Sequence, residues 1–237
     1  DHPGVIEPFV GGGGFLSIVG NGLFRRSMVL ADFDPRVASW WQVVADPAST
    51  DYDALILMLA ETQPSVALHA QLQECEGSDR VLLAYAGIML NRMSFSGILT
   101  SGPIGGKAQE SEWDVGCRFN AAKCIAQHHD VRRQVIGSTV LHADFEQTLS
   151  HRGLAVCDPP YVAAGRKLYP HSFGQPEHER LASVLLSRDD PFVLTYDDHD
   201  VVRDLYASCT ITEIPARYSI NGVKVGWDNK TELIITP

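Results

Sequence analysis

The feature that most restricts the fold of this chain lies close to its start. An apolar run, Val5–Phe9, enters the cluster Gly11–Gly14. A short helical stretch follows over Phe15–Asn21, and a second apolar run, Met28–Ala31, ends on Asp32. Strand, glycine loop, helix, strand and acid make the opening unit of a doubly wound α/β sheet. Glycines between strand and helix permit positive φ and let backbone N–H groups approach a ligand. Asp32 comes 18 residues after Gly14, at the tip of the second strand. In folds of this class that position holds an acid that binds ribose hydroxyls. A glycine loop alone is a weak signal, since a flexible turn beside a surface Asp has the same composition.

The rest of the chain keeps the alternation. Leu55–Glu61 and Arg80–Leu90 have helical periodicity, and Ser94–Gly116 is a Gly- and Ser-rich loop containing Pro103 and Gly105-Gly106. Phe119–His129 returns to helical spacing, followed by strands at Thr139–His142 and Leu154–Cys157. Pro176, Glu177 and Glu179 open a helix with Leu181, Val184 and Leu185 on one face and Arg188 at its end. Phe192–Tyr196 is a buried strand, Val201–Ala207 a helix, and Thr210–Ile214 with Glu232–Thr236 are closing strands. Asn221-Gly222 supplies the turn of a final hairpin.

Length limits this architecture to one domain with a modest insertion, at 237 residues and 45% apolar. The formal net charge of −10 speaks against a general nucleic-acid coat protein, which needs a cationic surface. The acidity is localised, however. Residues 32–79 hold nine acids and one base, and 189–204 hold six acids and one base. The remainder is mildly basic. The longest apolar runs, Leu55–Ala60 and Ala84–Leu90, are too short to span a bilayer, so no membrane partner is expected. Asp1–Gly4 has neither signal-peptide nor transit-peptide character. The five cysteines form no CxxC pair, as expected of reduced thiols in a cytoplasmic protein. Cys124, His128 and His129 lack zinc spacing, and no metal site is expected.

The sharpest chemical signal is Asp158-Pro159-Pro160-Tyr161, directly after Leu154–Cys157. A Pro-Pro pair at the tip of a buried strand leaves the sheet abruptly and projects its neighbours into the ligand crevice. The Asp158 carboxylate and the Pro159 carbonyl are two acceptors, and Tyr161 offers a flat face. They suit a planar exocyclic amine, whose two N–H donors meet two acceptors while its ring stacks on the tyrosine.

Together these motifs resemble the Dam-like, D12-class family of adenine-N6 DNA methyltransferases, in its phage and prophage branch. The resemblance runs from Ile6 almost to the C-terminus. It implies a Rossmann-like S-adenosylmethionine-dependent fold with a closing antiparallel hairpin and a small inserted target-recognition region. Residues 1–50 and 131–237 are expected to form the catalytic domain, and 51–130 the helical and loop insert. Glu7, Pro8, Phe9, Gly11 and Gly13 match the cofactor loop, Asp32 and Phe33 the ribose-binding strand end, and Asp144 with Phe145 the adenine pocket. Asp158, Pro159, Pro160 and Tyr161 match the catalytic motif, and Leu194–Asp198 the strand after it. Family members carry a Gly-Gly-Lys segment ahead of the first strand, so the working chain is expected to be longer than the sequence in hand.

Leu90–Gly97 matches the approach to the recognition insert and Arg118–Asn120 its return, making Arg92, Ser94, Gly97, Lys107, Arg118 and Asn120 candidate contacts to double-stranded DNA. Arg166, Lys167, Arg132 and Arg133 are further candidates for phosphate contacts. Tyr169–Phe173 follows the catalytic motif, placed to hold a flipped base, to cover the cleft, or simply to pack as a loop. The same catalytic quartet serves cytosine-N4 methylation, and an Asn in place of the Asp serves glutamine-N5 methylation of protein. RNA adenine methylation and a DNA-binding relative without turnover are also compatible with the sequence.

Overall fold

The computed structural model describes residues 4–19, 28–163, 173–216 and 230–237. Strands β1 (Gly4–Glu7), β2 (Met28–Asp32), β3 (Thr139–His142), β4 (Gly153–Cys157), β5 (Phe192–Asp197), β6 (Thr210–Ala216) and β7 (Lys230–Thr236) form one sheet in the order β3-β2-β1-β4-β5-β7-β6. All neighbours are parallel except β7, which runs antiparallel to both β5 and β6. The chain builds outward from β1 through β2 to β3, then returns to place β4 on the other side of β1. That reversal is the topological switch point, where ligands of open α/β sheets bind. The expected fold class holds, including the antiparallel last pair, although Asn221-Gly222 lies outside the described residues.

The crossover from β2 to β3 is long. It runs through α2 (Pro35–Ala45), α3 (Thr50–Glu61), α4 (Val66–Gln73), α5 (Arg80–Met93), a 3-10 turn (Phe95–Gly97) and α6 (Ala121–Val135). Helix α2 has no counterpart in the periodicity reading above, yet its start is written in the sequence. Asp34 accepts a hydrogen bond from the Arg36 amide as N-cap, and Pro35 occupies the first turn. Ser65 caps α4 in the same way, accepting from the Leu68 amide at 3.0 Å. Helix α2 packs on α5 at Gly87, where a Cβ would come within 3.2 Å of the Arg36 carbonyl oxygen. A single hydrophobic core joins β1 and β2 to α2, α3, α5 and α6, with Trp41, Leu55, Leu59, Met89 and Leu90 inaccessible to solvent. Residues 51–130 therefore share the core of the sheet.

Arg132 belongs to this packing and not to a phosphate surface. Its guanidinium donates to the Val44 carbonyl at 2.9 Å and lies 4.4 Å over the Tyr52 ring, tying α6 to α2 and α3. Arg133 pairs with Asp130 one turn earlier on α6.

A second core lies under β4, β5 and β7. It is built by Leu181 and Leu185 of α8 (Gln175–Leu186), Phe145 and Leu149 of α7 (Phe145–Leu149), Val202 of α9 (Asp200–Leu205), and Leu194, Leu233 and Ile235. Glu177 at the third position of α8 accepts from the Gly174 amide at 2.9 Å. Arg188 lies beyond α8 and reaches the carbonyls of His151 and Gly153 at 3.2 and 3.0 Å. Among the described residues, one further helix, α1 (Gly14–Val19), follows the glycine loop.

Candidate functional site

Pro8 ends β1, and the backbone turns through Gly11 (φ +46°) and Gly13 (φ +74°) before α1. Trp41 of α2 clamps this loop. Its Nε1–H donates to the Gly11 carbonyl at 2.9 Å, and its ring lies so close to Gly13 that a Cβ there would sit 2.7 Å from it. Asp32 secures the loop from the other side. One carboxylate oxygen accepts the Gly11 amide and the other the Asp34 amide, each at 2.9 Å. Burial raises the Asp32 pKa, and these amide bonds oppose the rise.

Aromatic rings wall the outer end of the cleft. Phe33 is 54% exposed beside Asp32. Phe145 is buried against Phe9 and Phe173, at ring separations of 5.7 and 5.6 Å. Asp144 caps α7 by accepting the Glu146 amide and pairs with Arg180 at 2.7 Å. The Arg180 guanidinium in turn lies 4.4 Å over Phe145.

Asp158 stands exposed at the tip of β4, with Pro159 buried and Pro160 and Tyr161 half-buried behind it. Thr195 of β5 donates to Asp158 Oδ1 at 2.6 Å and fixes the carboxylate. Asp197, two residues along the same strand face, accepts the amides of Val162 and Ala163 at 3.0 and 2.8 Å, anchoring the chain after Tyr161. The Tyr161 ring lies 6.0 Å from Tyr196, whose hydroxyl meets His178 Nδ1 at 2.7 Å. Burial pushes the Tyr161 hydroxyl pKa far up, with the Asp158 charge adding to it. Thr195, Asp197 and Trp41 are supports to which the sequence reading gives no role. The signal for the first two is the period-two alternation of β5, which puts them on one face of the strand.

Glu7, at the tip of β1 beside β4, is 5% exposed, and its Oε2 has no hydrogen-bond partner among the described residues. Its carboxyl is raised from the ordinary 4.5 to about 8, first by burial and then by the Asp158 charge.

The recognition residues fall into two groups. Ser94, expected to face DNA, is fully buried and meets His69 Nε2 at 3.0 Å. It bridges to Pro103 and closes the loop from inside, so this candidate contact is corrected to a structural residue. Gly97 (φ +75°) sits under Asn91 and Arg118, with a Cβ position 3.1 Å from Asn91 Nδ2 and 3.6 Å from an Arg118 nitrogen. Arg92 is half-buried, while Lys107, Arg118 and Asn120 are exposed. The Asn120 side chain caps α6 through the Lys123 amide at 2.9 Å. Arg166, Lys167 and most of Tyr169–Phe173 lie outside the described residues.

One cleft of about 1540 Å³ connects these parts. Glu7, Phe9, Gly11, Asp32, Phe33, Phe145, Asp158 and Tyr161 line it together with Arg92, Gly97, Ile98 and His128. Single-ligand pockets commonly run to about 1,000 Å³, so this cleft has room for a nucleotide-sized molecule and a nucleobase together. The profile of the D12 class N6 adenine-specific DNA methyltransferases matches residues 1–220. The chain belongs to that family. No individually curated protein matches it significantly.

Membership makes this an S-adenosylmethionine-dependent enzyme acting on adenine in DNA. The cleft of this methyltransferase fits such a cofactor on its own chemistry. A buried carboxyl without a partner, Glu7, calls for a cationic or hydrogen-bond-donating ligand. The glycine loop leaves space for a ligand backbone, and Phe33 and Phe145 offer apolar ring faces. Among the described residues no cluster of His, Cys, Asp and Glu is arranged to hold a metal, and no helix is long and apolar enough to cross a membrane.

Proposed function

We propose that this methyltransferase modifies the N6 amine of an adenine turned out of duplex DNA, using Asp158, Pro159 and Tyr161 as the amine-holding group. The observation that supports it best is the fixed Asp158 carboxylate. Thr195 occupies one oxygen at 2.6 Å, and a carboxylate has about four acceptor sites, so capacity remains for an incoming N–H. The N6 lone pair of adenine is delocalised into the ring and is a poor nucleophile. Asp158 and the Pro159 carbonyl, accepting both N–H bonds, draw the nitrogen towards tetrahedral geometry and free that lone pair. Tyr161 stacks on the ring. An amine inside a base pair is stacked in the duplex with a donor committed to its partner base, so it cannot give both N–H bonds to this acceptor pair, hence the extrahelical base.

S-adenosylmethionine, when bound, supplies an electrophilic methyl group on a sulfonium. Glu7, Gly11, Gly13, Asp32, Phe33, Asp144 and Phe145 are the residues assigned to hold it, with Asp32 facing the ribose. Asp144 contributes less than the motif suggests, because its carboxylate already serves α7 and Arg180. The catalytic contribution is then positioning and fixed dipoles. The recognition end belongs to Arg92, Lys107, Arg118 and Asn120, and action on cytoplasmic DNA completes the proposal.

Incubation with methyl-labelled S-adenosylmethionine and duplex DNA, followed by digestion to nucleosides, tests this directly. Label in N6-methyladenine is expected, and Asp158→Ala should abolish it while cofactor binding survives. Label in N4-methylcytosine, or an active Asp158→Ala enzyme, would overturn the assignment.

A further inference from the structure

Glu7 is a buried acid of the cleft whose Oε2 has no hydrogen-bond partner among the described residues. The other acids there are already served. Asp32 is held by two amides, Asp34 by Arg36 at 3.0 Å, Asp144 by Arg180, and Asp158 by the Thr195 hydroxyl. Among the described residues, the groups that face Glu7 offer no cation. From β4 they are the Asp158 carboxylate and the Cys157 thiol, which burial keeps neutral by pushing its pKa far up. Arg188 beneath β4 is committed to backbone carbonyls. A buried, unpartnered carboxyl next to a second carboxylate is stable only when neutral or when a ligand brings positive charge.

We infer that Glu7 carries a proton whose presence follows the charge of the bound cofactor. Resting on the methyltransferase function proposed above, this gives Glu7 a part in the reaction's proton balance. With the cleft free of positive charge the Glu7 carboxyl is protonated. When a sulfonium enters, Glu7 releases the proton and stands as the counter-ion. During transfer the N6–CH3 bond forms and the S–CH3 bond breaks, its electron pair staying on sulfur. The amine nitrogen then has one proton too many. The proton lost by the amine leaves by way of Asp158, which accepts that N–H and is open to solvent, and because the positive charge that stabilised the Glu7 carboxylate is lost in the same step, Glu7 takes up a proton again. Glu7 thereby also separates the charged methyl donor from its neutral product, because only the donor repays the ionisation of a buried acid.

Titration calorimetry at pH 7, in two buffers of different ionisation enthalpy, counts the protons released on binding. With the carboxyl at about 8, roughly nine in ten molecules hold the proton at pH 7. The wild type should therefore release about 0.9 proton more with S-adenosylmethionine than with S-adenosylhomocysteine. In Glu7→Gln that difference should vanish. The ligands' own amines titrate alike in both proteins, so the comparison isolates Glu7. Infrared difference spectroscopy gives a readout that needs no variant, namely loss of a carboxylic-acid C=O band when S-adenosylmethionine, but not S-adenosylhomocysteine, is added. Equal proton release with the two ligands, a difference that persists in Glu7→Gln, or an unchanged infrared band would overturn the inference. If those results accompany normal N6-adenine labelling, the proposed function stands without it. A protein that binds neither ligand refutes both.

Discussion

Replacing Thr195 by Val probes the support under the catalytic carboxylate while conserving shape. Thr195 Oγ1 has one proton to donate, and two acceptors compete for it, Asp158 Oδ1 at 2.6 Å and the Cys157 carbonyl at 3.4 Å. The shorter, charge-assisted bond takes it. Such bonds are worth about 1.5–3 kcal/mol. Asp158 is exposed, so water replaces part of the loss and the lower end applies. About 1.4 kcal/mol off transition-state stabilisation is a tenfold fall in rate. We therefore expect Thr195→Val to lower kcat about tenfold in single-turnover methylation. The Kd for S-adenosylmethionine should stay within twofold, because Thr195 holds the amine-binding group and not the cofactor loop. Thr195→Ser, which keeps the donor, should restore most of the rate. A Val variant as fast as wild type, or one whose loss is entirely in cofactor affinity, would refute the positioning role.

Gly13→Ala forces a Cβ into a left-handed residue and against the Trp41 ring, 2.7 Å away. The backbone part costs about 1–2 kcal/mol, so cofactor affinity should fall about tenfold and the melting temperature by several degrees; unchanged affinity would count against the loop's role. Glu7 sets a pH dependence of stability. Its folded pKa of about 8 lies above the ordinary 4.5, so the stability it contributes is fully present below pH 4.5 and lost as pH rises through 8. The wild type should lose melting temperature relative to Glu7→Gln across that window, whereas parallel curves would refute the buried neutral acid.

The sheet was legible because each strand is a short apolar run bounded by turn chemistry, and Asp32 and Asp158 mark the tips where β2 and β4 end. What escaped the periodicity reading was α2, together with α4 and α7, although the buried Ala38, Trp41 and Ala45 of α2 recur at helical spacing. Its Asp34-Pro35 start was the better signal. Roles set by long-range pairing were not readable at all. The Thr195–Asp158 bond joins positions 37 apart and Trp41–Gly11 positions 30 apart, and no local pattern announces either. Ser94 shows the opposite error. Its place inside a matched motif suggested DNA contact, but the partner that decides its role, His69, sits on α4.

Charge follows the same logic, because partners decide which cations are available to DNA. Among the described residues Arg36, Arg80, Arg133, Arg152, Arg180 and Arg203 are paired with carboxylates, and Arg132 and Arg188 donate to backbone carbonyls. Arg92 reaches Gln127 at 3.4 Å and Cys124, neither of them a carboxylate, and Lys107, Arg118 and Lys123 have no carboxylate partner among those residues. These four cluster between positions 92 and 123, around the loop that meets the catalytic cleft. The net −10 is thus compatible with a confined cationic end. If Arg118 or Lys107 neutralises a phosphate, its replacement by Ala should reduce the slope of log K against log salt by about 0.9. If Arg118 instead reads a base, the slope should hold while sequence preference relaxes by about 1–3 kcal/mol at one position. Arg203, paired with Asp198 and Glu213 at 2.6 and 2.5 Å, is the control. A salt slope that falls in Arg203→Ala, or binding by Arg118→Ala that changes in neither slope nor preference, would refute sorting by internal partner.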